Sequence, residues 1–176
     1  GTPRWGAAWK KATAETYQNA TGVGAQGTSY PVRGNYLDLD PTYKDRFGRP
    51  LLRVTFDFPD NDLRMSRYVG EQIAKIGKAM NPKQMAMNQS ARGWNSVPYQ
   101  TTHNTGGTIM GANPKTSAVN RYLQSWDVSN LFVIGASAFQ QNAGKNPTGT
   151  VGALAYWAAE AIRDQYLKKP GALVPA

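Results

Sequence analysis

The chain has no cysteine and only one histidine, His103, among its 176 residues. Without cysteine it can form no disulfide bond, thiolate metal site or cysteine nucleophile. With a single histidine it cannot build a metal site from several imidazoles, and any histidine chemistry must use that one residue. No stretch approaches the ~20 consecutive apolar residues that a membrane-spanning helix needs, so we expect no transmembrane segment.

The first residues also lack an initiator methionine and the apolar core of a signal peptide. We therefore expect the chain to start inside a longer polypeptide, as a processed precursor or a fragment. Its length suffices for one sizeable hydrophobic core or two small ones. Its composition, 40% hydrophobic and 18% charged, is that of an ordinary globular domain.

The net charge of +9 raises the question of a nucleic-acid partner. The basic residues are dispersed, however, and the densest groups are only Lys10 with Lys11 and Lys168 with Lys169. No basic run with interleaved aromatic residues is present. We therefore expect no nucleic-acid binding; a solvated basic surface, or a face that docks an acidic partner protein, explains the charge better.

Hydrophobic periodicity predicts a helix and a strand–turn–strand unit in the first part of the chain. The helix is predicted over about residues 5–19. Alternating residues predict a strand over 35–40, ended by Pro41, and a second strand over 51–58, with a turn at 45–50 between them. The predicted inward face of the second strand consists of Leu52, Val54, Phe56 and Phe58.

The next segment predicts a long amphipathic helix followed by a loop. Asp60 or Asn61 would cap the helix, apolar residues recur at every third or fourth position from Met65, and Pro82 follows its end. We interpret this apolar stripe as core. Residues 83–100 are polar and methionine-rich without a period, and are predicted to form a long loop or lid.

The C-terminal part predicts one buried strand and a closing helix. Residues 131–134 form a short continuous apolar run, which is typical of a strand buried on both faces of a parallel sheet. A second amphipathic helix would follow, capped by Thr148 or Thr150 and reaching about Tyr166.

Residues 22–27 match the G-x-G-x-x-G pattern of dinucleotide-binding turns. That pattern binds a pyrophosphate only where it connects a strand to a helix N-terminus. The flanking residues 17–21 and 28–31 fit neither a buried strand nor a helix. We interpret the segment as a flexible glycine-rich loop.

Three elements could carry chemistry. His103 lies among small polar residues, and imidazole exchanges protons near neutral pH. Residues 142–150 lead into the last helix, whose unpaired N–H groups could stabilise an anion or an electron-rich ring edge. Gly135 and its small neighbours would let a ligand approach the backbone at the end of the predicted strand. Taken singly, the first two also fit an ordinary histidine and an ordinary helix cap.

Together these elements resemble the C-terminal signature of the glucose–methanol–choline (GMC) oxidoreductases. The order is His103, then Gly-Gly-Thr-x-Met-Gly at 106–111, then the segment 130–137, then Asn-Pro-Thr at 146–148 opening the last helix. The resemblance spans roughly residues 33–168. Within the family the chain is most similar to the bacterial flavoprotein subunits of gluconate, sorbitol, fructose or glucose dehydrogenases.

The resemblance implies two catalytic residues. His103 matches the family's base, which takes the proton from the substrate hydroxyl while hydride passes to N5 of the flavin. Asn146 matches the second catalytic position, which hydrogen-bonds the same hydroxyl and holds it in line.

The resemblance also implies FAD as the cofactor. Gly135 and Ala136 would lie against its ribityl–diphosphate portion. Asn146, Pro147 and Thr148 would approach the flavin ring, where the dipole of the last helix stabilises negative charge. No metal ligand is implied.

The implied fold is mixed α+β: an antiparallel substrate-domain sheet with helices, then the last strand and helix of a Rossmann-like FAD-binding domain. Residues 1–100 would belong to the substrate-binding domain, 101–170 to the GMC C-terminal segment, and 171–176 to a tail. The family's N-terminal βαβ unit is not among these residues. The chain would therefore be a truncated GMC fold, about the last third of the enzyme.

The complete enzyme would oxidise a CH–OH group of a sugar, polyol or sugar acid. Its implied partners are the N-terminal FAD-binding portion of the same enzyme and a cytochrome c or quinone electron acceptor. The resemblance implies a periplasmic location, with membrane association through a partner subunit. We expect the chain alone neither to hold FAD tightly nor to turn over. The alternative is a non-catalytic structural or interaction fragment without bound FAD.

Overall fold

The computed structural model describes residues 3–87, 93–95 and 103–175. Within them the regular elements are, in chain order, α1 (Gly6–Thr16), β1 (Tyr36–Lys44), β2 (Pro50–Thr55), α2 (Asp60–Ala79) and α3 (Thr148–Ala161). A short 3-10 turn, Ala136–Ala138, precedes α3, and a π-helical turn, Ile162–Tyr166, continues it. The mixed α and β content confirms the predicted class, and the antiparallel sheet confirms that part of the prediction.

Strands β1 and β2 form a two-stranded antiparallel sheet in which Leu37 faces Val54 and Leu39 faces Leu52. These four side chains share one face of the sheet, and they are 46%, 64%, 64% and 64% exposed, in the order Leu37, Leu39, Leu52 and Val54. The predicted inward face of the second strand is therefore wrong. No second layer among the described residues covers it, so alternation alone could not tell which face is buried.

Beyond Thr55 the chain leaves the sheet, so Phe56 and Phe58 lie past the end of β2 rather than in it. They are 39% and 38% exposed. The two rings meet edge to face at 5.3 Å between centroids. They form an aromatic contact at the end of the sheet instead of extending its apolar face.

Strand β1 continues through Pro41, where the sequence predicted its end. The register with β2 shifts beyond Leu39, and a proline is tolerated in such an irregular stretch because no ladder bond needs its nitrogen. The carboxylate of Asp40 accepts the N–H groups of Tyr43 and Thr42, each at 2.8 Å. These two bonds hold the pKa of Asp40 below its usual range.

The opposite face of the sheet carries an ion pair between Asp38 and Arg53, which are direct cross-strand neighbours. The Nε of Arg53 donates to Oδ1 of Asp38 at 2.7 Å, and a second bond joins Nη2 to Oδ2. The hydrogen bonds from Arg53 lower the pKa of Asp38, and Asp38 raises the pKa of Arg53. Both side chains are partly exposed to solvent, so the ion pair adds little to the stability of the fold. It does match the register of the two strands.

Helix α2 forms where the amphipathic pattern predicts it and ends at Ala79. Asn81 then takes a left-handed φ of 50°, and Pro82 cannot continue the helix. The predicted cap is not formed: Pro59 occupies the N-cap position without a side-chain bond, and Asp60 is already in the first turn.

The apolar stripe of α2 is only partly covered, which corrects its interpretation as core. Gly70 is the one buried residue of the helix. The stripe lines an open groove of about 550 Å³ together with the glycine-rich segment and Met85. A Cβ atom at Gly27 would lie 2.2 Å from the Cε atom of Met65, so a side chain there would displace the flexible end of Met65.

The glycine-rich segment 22–27 has no strand before it and no helix after it. It therefore lacks the strand–turn–helix setting in which such a pattern binds a pyrophosphate. This confirms the interpretation of the segment as an irregular loop.

The buried core lies in the C-terminal part, between the segment 110–138 and helix α3. Seven side chains are almost completely buried there: Val119, Leu123, Ala138, Ala158 and Ala161, with the polar Asn120 and Gln124. Met110, Val133 and Leu154 pack against this cluster. The core is small and includes two amide side chains, so its polar groups must be paired.

The predicted parallel strand at 131–134 is not formed among the described residues. Phe132 makes a single antiparallel bridge to Gln124. Leu131 and Ile134 are 47% and 45% exposed. A buried parallel strand needs neighbouring strands, and none of the described residues supplies one. The apolar run instead folds back on the turn that precedes it.

Gln124 connects the core to the C-terminal residues. Its Nε2 donates to the carbonyls of Gly171 at 2.8 Å and Ser129 at 2.6 Å. Its Oε1 accepts from the N–H of Leu173 at 2.8 Å and from Nδ2 of Asn120 at 3.2 Å. One buried amide thus uses both its donor and its acceptor to hold residues 171–173 against the core.

Candidate functional site

His103 begins the segment that forms the centre of the candidate site. Its side chain is half-buried. The residues after it run beside the 3-10 turn as a short backbone ladder. The N–H groups of Gly106, Thr108 and Met110 donate to the carbonyls of Ala136, Ser137 and Ala138 at 3.2, 2.9 and 2.8 Å. The ladder brings the histidine segment and the Gly135–Ala136 segment, which are separate in the sequence, next to each other.

Gly135 has a backbone conformation that favours glycine. Its φ is 146° and its ψ is −174°, a combination that is essentially restricted to glycine. A side chain built at this position would meet no atom within 4 Å. The backbone at Gly135 is therefore open on the side where a side chain would stand, as close approach of a ligand requires.

The hydroxyl oxygen of Thr108 is buried and has no hydrogen-bond partner among the described residues. An unpaired buried hydroxyl is unfavourable, so a native structure usually supplies a partner for it. Thr108 lies in the ladder next to Ser137. A polar group from outside the described residues, such as a bound cofactor or another part of the polypeptide, would satisfy it.

The segment 142–148 contacts His103 through Asn142. The side-chain Nδ2 of Asn142 donates to the carbonyl oxygen of His103 at 3.0 Å. The backbone of Asn142 pairs with that of Ser29 by two bonds of 3.0 and 2.9 Å. In the sequence Asn142 is recognisable only as part of the segment before the last helix, because an amide that bonds to a distant backbone leaves no local pattern.

Helix α3 presents an uncapped N-terminus. It begins at Thr148, and Pro147 at the N-cap makes no side-chain bond. The predicted threonine cap is therefore wrong, because Thr148 and Thr150 both lie inside the first turn. Asn146 and Thr148 are exposed and Pro147 is half-buried. The first turn has no acidic residue, so its N–H groups and partial positive charge remain available to an anionic or electron-rich group.

The structure brings together the three segments that hold the predicted site residues. The ladder joins the His103 segment to Gly135 and Ala136, and Asn142 joins it to the segment that contains Asn146. Asn146 follows Asn142 by four residues. The two predicted catalytic residues therefore belong to segments in direct contact.

A further contact, not predicted from the sequence, joins Trp94 of the predicted long loop to Asp57 at the end of β2. The N–H of Trp94 and that of Phe58 both donate to Oδ1 of Asp57 at 2.7 Å. These bonds, led by that from Trp94, lower the pKa of Asp57. The amide of Asn35 exchanges two bonds with the Asp57 backbone, at 3.0 and 2.9 Å.

The Trp94 ring packs on Phe56 and Phe58 at centroid distances of 5.1 and 5.9 Å. Residues 93–95 of the predicted loop are thus held at the end of β2. Residues 88–92 and 96–100 of that loop lie outside the described residues. Within the described ranges, no helix is long and apolar enough to cross a membrane.

Comparison with known proteins identifies the family. The family model described as GMC oxidoreductase matches residues 31–155, and the chain therefore belongs to the GMC oxidoreductases. This confirms the resemblance inferred from the motifs. Because its relatives oxidise alcohol and sugar substrates according to their names, it also confirms the oxidoreductase class.

Three relatives show where in the family the chain lies. It is 57% identical to the gluconate 2-dehydrogenase flavoprotein of Pantoea cypripedii, an alignment that covers 100% of this chain and 29% of the relative. It is 33% identical to the 2-methyl-1,2-propanediol dehydrogenase of Mycolicibacterium austroafricanum, over 92% of this chain and 28% of the relative. It is 34% identical to the fructose dehydrogenase large subunit of Gluconobacter japonicus, over 75% of this chain and 23% of the relative. The chain thus spans less than a third of the length of these relatives.

Proposed function

We propose that this chain is the C-terminal portion of an FAD-dependent dehydrogenase that oxidises a CH–OH group of a sugar, polyol or sugar acid. The observation that carries the proposal is the contact between the His103, Gly135 and Asn142 segments in a chain of this family. The name of the relative at 57% identity favours gluconate as the first substrate to test. Because the relatives are much longer, the activity belongs to a longer polypeptide.

His103 is proposed to remove the proton from the substrate hydroxyl as a general base. Its half-buried imidazole is reachable, and its backbone is fixed by the ladder that follows it. The exposed amide of Asn146 is proposed to hydrogen-bond the same hydroxyl oxygen. Together the two side chains would hold the carbinol in one orientation, which is a recognised source of rate.

Bound FAD would supply the hydride acceptor for the substrate carbon. Three features of the chain fit this cofactor. Gly135 and Ala136 offer an open backbone to its ribityl–diphosphate portion. Pro147 and Thr148 place an uncapped helix N-terminus, without an acidic residue, where negative charge on the flavin ring would be stabilised. The unpaired hydroxyl of Thr108 could receive a polar partner on binding.

The exposed apolar face of β1 and β2 suits a chain that packs against more of the same enzyme. Isolated surfaces of this kind are usually covered in a stable protein. The N-terminal FAD-binding portion is proposed as that partner. A cytochrome c or quinone is proposed as electron acceptor, and the net charge of +9 would favour an acidic redox protein. A periplasmic location, with membrane association through a partner subunit, is proposed by family resemblance.

The test is rapid-reaction kinetics on the longer flavoprotein that contains this chain. With gluconate, and with sorbitol, fructose and glucose for comparison, His103→Ala should slow flavin reduction by about 10²–10⁴-fold. The visible flavin spectrum should stay unchanged, which shows that the cofactor is still bound. Asn113→Ala is the matched control, since the Asn113 side chain bonds within its own turn. Flavin reduction at the wild-type rate in His103→Ala would refute the proposed base.

The alternative, a non-catalytic fragment without FAD, concerns the 176 residues alone. We expect this chain to be colourless when purified by itself. Mixing it with the N-terminal portion of the flavoprotein and FAD should yield a yellow complex if the exposed sheet face is a contact with that portion. Failure to associate would favour the non-catalytic interpretation.

A further inference from the structure

The hydrogen bond between Asn142 and His103 joins residues that are 39 positions apart. It runs from a side-chain amide to a backbone carbonyl, and both residues are half-buried. It therefore acts on the backbone from which the imidazole projects. A bond of this kind limits where the histidine can stand without contacting the imidazole itself.

The backbone of Asn142 is in turn fixed by residues near Ser29. Its backbone N–H and C=O pair with those of Ser29, as an isolated antiparallel bridge. Two residues further on, a side chain at Gly144 would lie 2.7 Å from the carbonyl oxygen of Gln26. The segment 26–29 thus contacts the segment 142–144 so closely that only glycine fits at position 144. A side chain mounted on a fixed backbone can position its partner.

We propose that Asn142 is a positioning residue for His103. Its amide fixes the His103 carbonyl, while the ladder from Gly106 onward fixes the chain after it. The histidine is thereby held against the segment that also presents Asn146. The segment 26–29, which overlaps the end of the glycine-rich loop, supports this arrangement through its contacts with residues 142–144. The consequence for catalysis rests on the function proposed above, whereas the effect on the histidine does not.

The chemistry of the contact sets the expected response to substitution. Asn142→Ala removes the only side-chain donor at this position. Asn142→Asp replaces the donor by a carboxylate oxygen facing a carbonyl oxygen, which is repulsive. A displacement of about 1 Å at a catalytic group can cost on the order of 10²-fold in rate. The substrate would still bind through its other contacts, so the rate should change more than the apparent affinity.

The first test uses the 176-residue chain and the NMR signals of its only histidine. With ¹⁵N-labelled histidine, every imidazole signal belongs to His103. Asn142→Ala and Asn142→Asp should shift these signals or split them into several conformers. Asn19→Ala is the control, because Asn19 donates to the Glu15 carbonyl at the same 3.0 Å but in the turn that follows helix α1. Unchanged His103 signals in both Asn142 variants would overturn the proposal.

A second pair of variants tests the same arrangement in case the Asn142 variants do not fold. Gly144→Ala should displace the segment 142–144 from Gln26 and perturb the same imidazole signals. Gly24→Ala should not, because a side chain at Gly24 meets no atom within 4 Å. If Gly144→Ala folds and leaves the His103 signals unchanged, the supporting role of the segment 26–29 is refuted.

The second test uses the complete flavoprotein. Asn142→Ala should reduce the rate of flavin reduction by about 10- to 100-fold with a much smaller change in KM. The wild-type rate in this variant would overturn the positioning role, even if His103→Ala abolishes turnover. Conversely, a wild-type enzyme that oxidises no alcohol would refute the proposed function, while the NMR result still decides whether Asn142 positions His103.

Discussion

The part of the chain before residue 88 and the part after residue 102 place their apolar side chains differently. The first contains regular structure, the sheet of β1 and β2 and helix α2, but its large apolar side chains are mostly half-buried or exposed. The second has mainly loops before α3, yet it contains every buried hydrophobic residue found in the described ranges.

The two parts of the chain are held in their conformations by different kinds of hydrogen bond. A hairpin and a helix form their regular backbone hydrogen bonds between residues that are close in sequence. The loops of the C-terminal part cannot do this. They depend on ladder bonds and on buried amides such as Gln124, which bonds to Gly171 and Leu173 far away in sequence. Substitutions should therefore change the free energy of unfolding by very different amounts in the two parts.

The largest difference should appear when the same substitution is made in each part. Leu123 is 0% exposed, whereas Leu52 is 64% exposed. Leu123→Ala should lower the free energy of unfolding by about 3–4 kcal/mol, because it leaves a cavity. Leu52→Ala should change it by less than about 0.5 kcal/mol in the same chain. Urea denaturation of both variants measures the contrast, and equal losses would remove the distinction between the parts.

The next largest effect should come from the buried amide. Gln124→Leu would leave the carbonyls of Ser129 and Gly171 and the N–H of Leu173 without their partner. We expect a loss of about 2–3 kcal/mol, together with faster proteolysis of the C-terminal residues. Gln140→Leu is a milder comparison, since Gln140 is exposed and makes one bond, to the Met110 carbonyl. A Gln124 variant as stable and as protease-resistant as wild type would contradict the assigned role.

A smaller loss is expected from backbone strain at Gly135. Gly135→Ala would place a side chain where φ is 146°, at a cost of about 1–2 kcal/mol. Gly24→Ala, whose added methyl group also meets open space, should be close to neutral. Because neither added methyl group meets another atom, thermal unfolding of the two variants isolates the cost of backbone strain at Gly135. If both unfold at the same temperature as wild type, the conformation at Gly135 is not a constraint.

The smallest effect should be the pH-dependent contribution of Asp57. Its pKa is lowered by the N–H groups of Trp94 and Phe58. A carboxyl with a lowered folded pKa stabilises the fold above its unfolded pKa of about 3.9. That contribution is lost as pH falls through the folded value. Asp57→Asn should thus unfold at a slightly lower temperature than wild type at neutral pH.

The difference between Asp57→Asn and wild type should shrink on acidification below about pH 4. Tryptophan fluorescence during thermal unfolding, repeated across this pH range, follows it. A difference that grew as the pH fell would mean that the charge of Asp57 does not favour the observed contact with Trp94.

Much of the regular structure could be predicted, because it depends on nearest neighbours in sequence. The periodicity from Met65 predicts α2, and Pro82 its end. The turn at Gly48, with a φ of 79°, was also predictable from its residues. That the apolar face of the sheet stays uncovered was not predictable, since alternation reveals that the two faces differ but not what covers either one. The strand at 131–134 failed for the same reason, because its predicted neighbours are not in the described chain.

The candidate site divides in the same way. Its motifs are local, so His103, Gly135 and the segment 146–148 could be named from their order and from the family that this order resembles. The assembly of these segments could not, because nothing near Asn142 in the sequence indicates that its amide would bond to His103.

The sequence by itself therefore determined the family, the segments that hold the site, and the helices and turns that follow from local spacing. Only the tertiary structure decided which segments contact each other, through Asn142 and Gln124, and which apolar faces remain open. The physical reason is the separation along the sequence over which each kind of interaction acts. Local propensity and periodicity act within a few residues, whereas the side chains of Asn142 and Gln124 bond to groups 39 to 49 positions away.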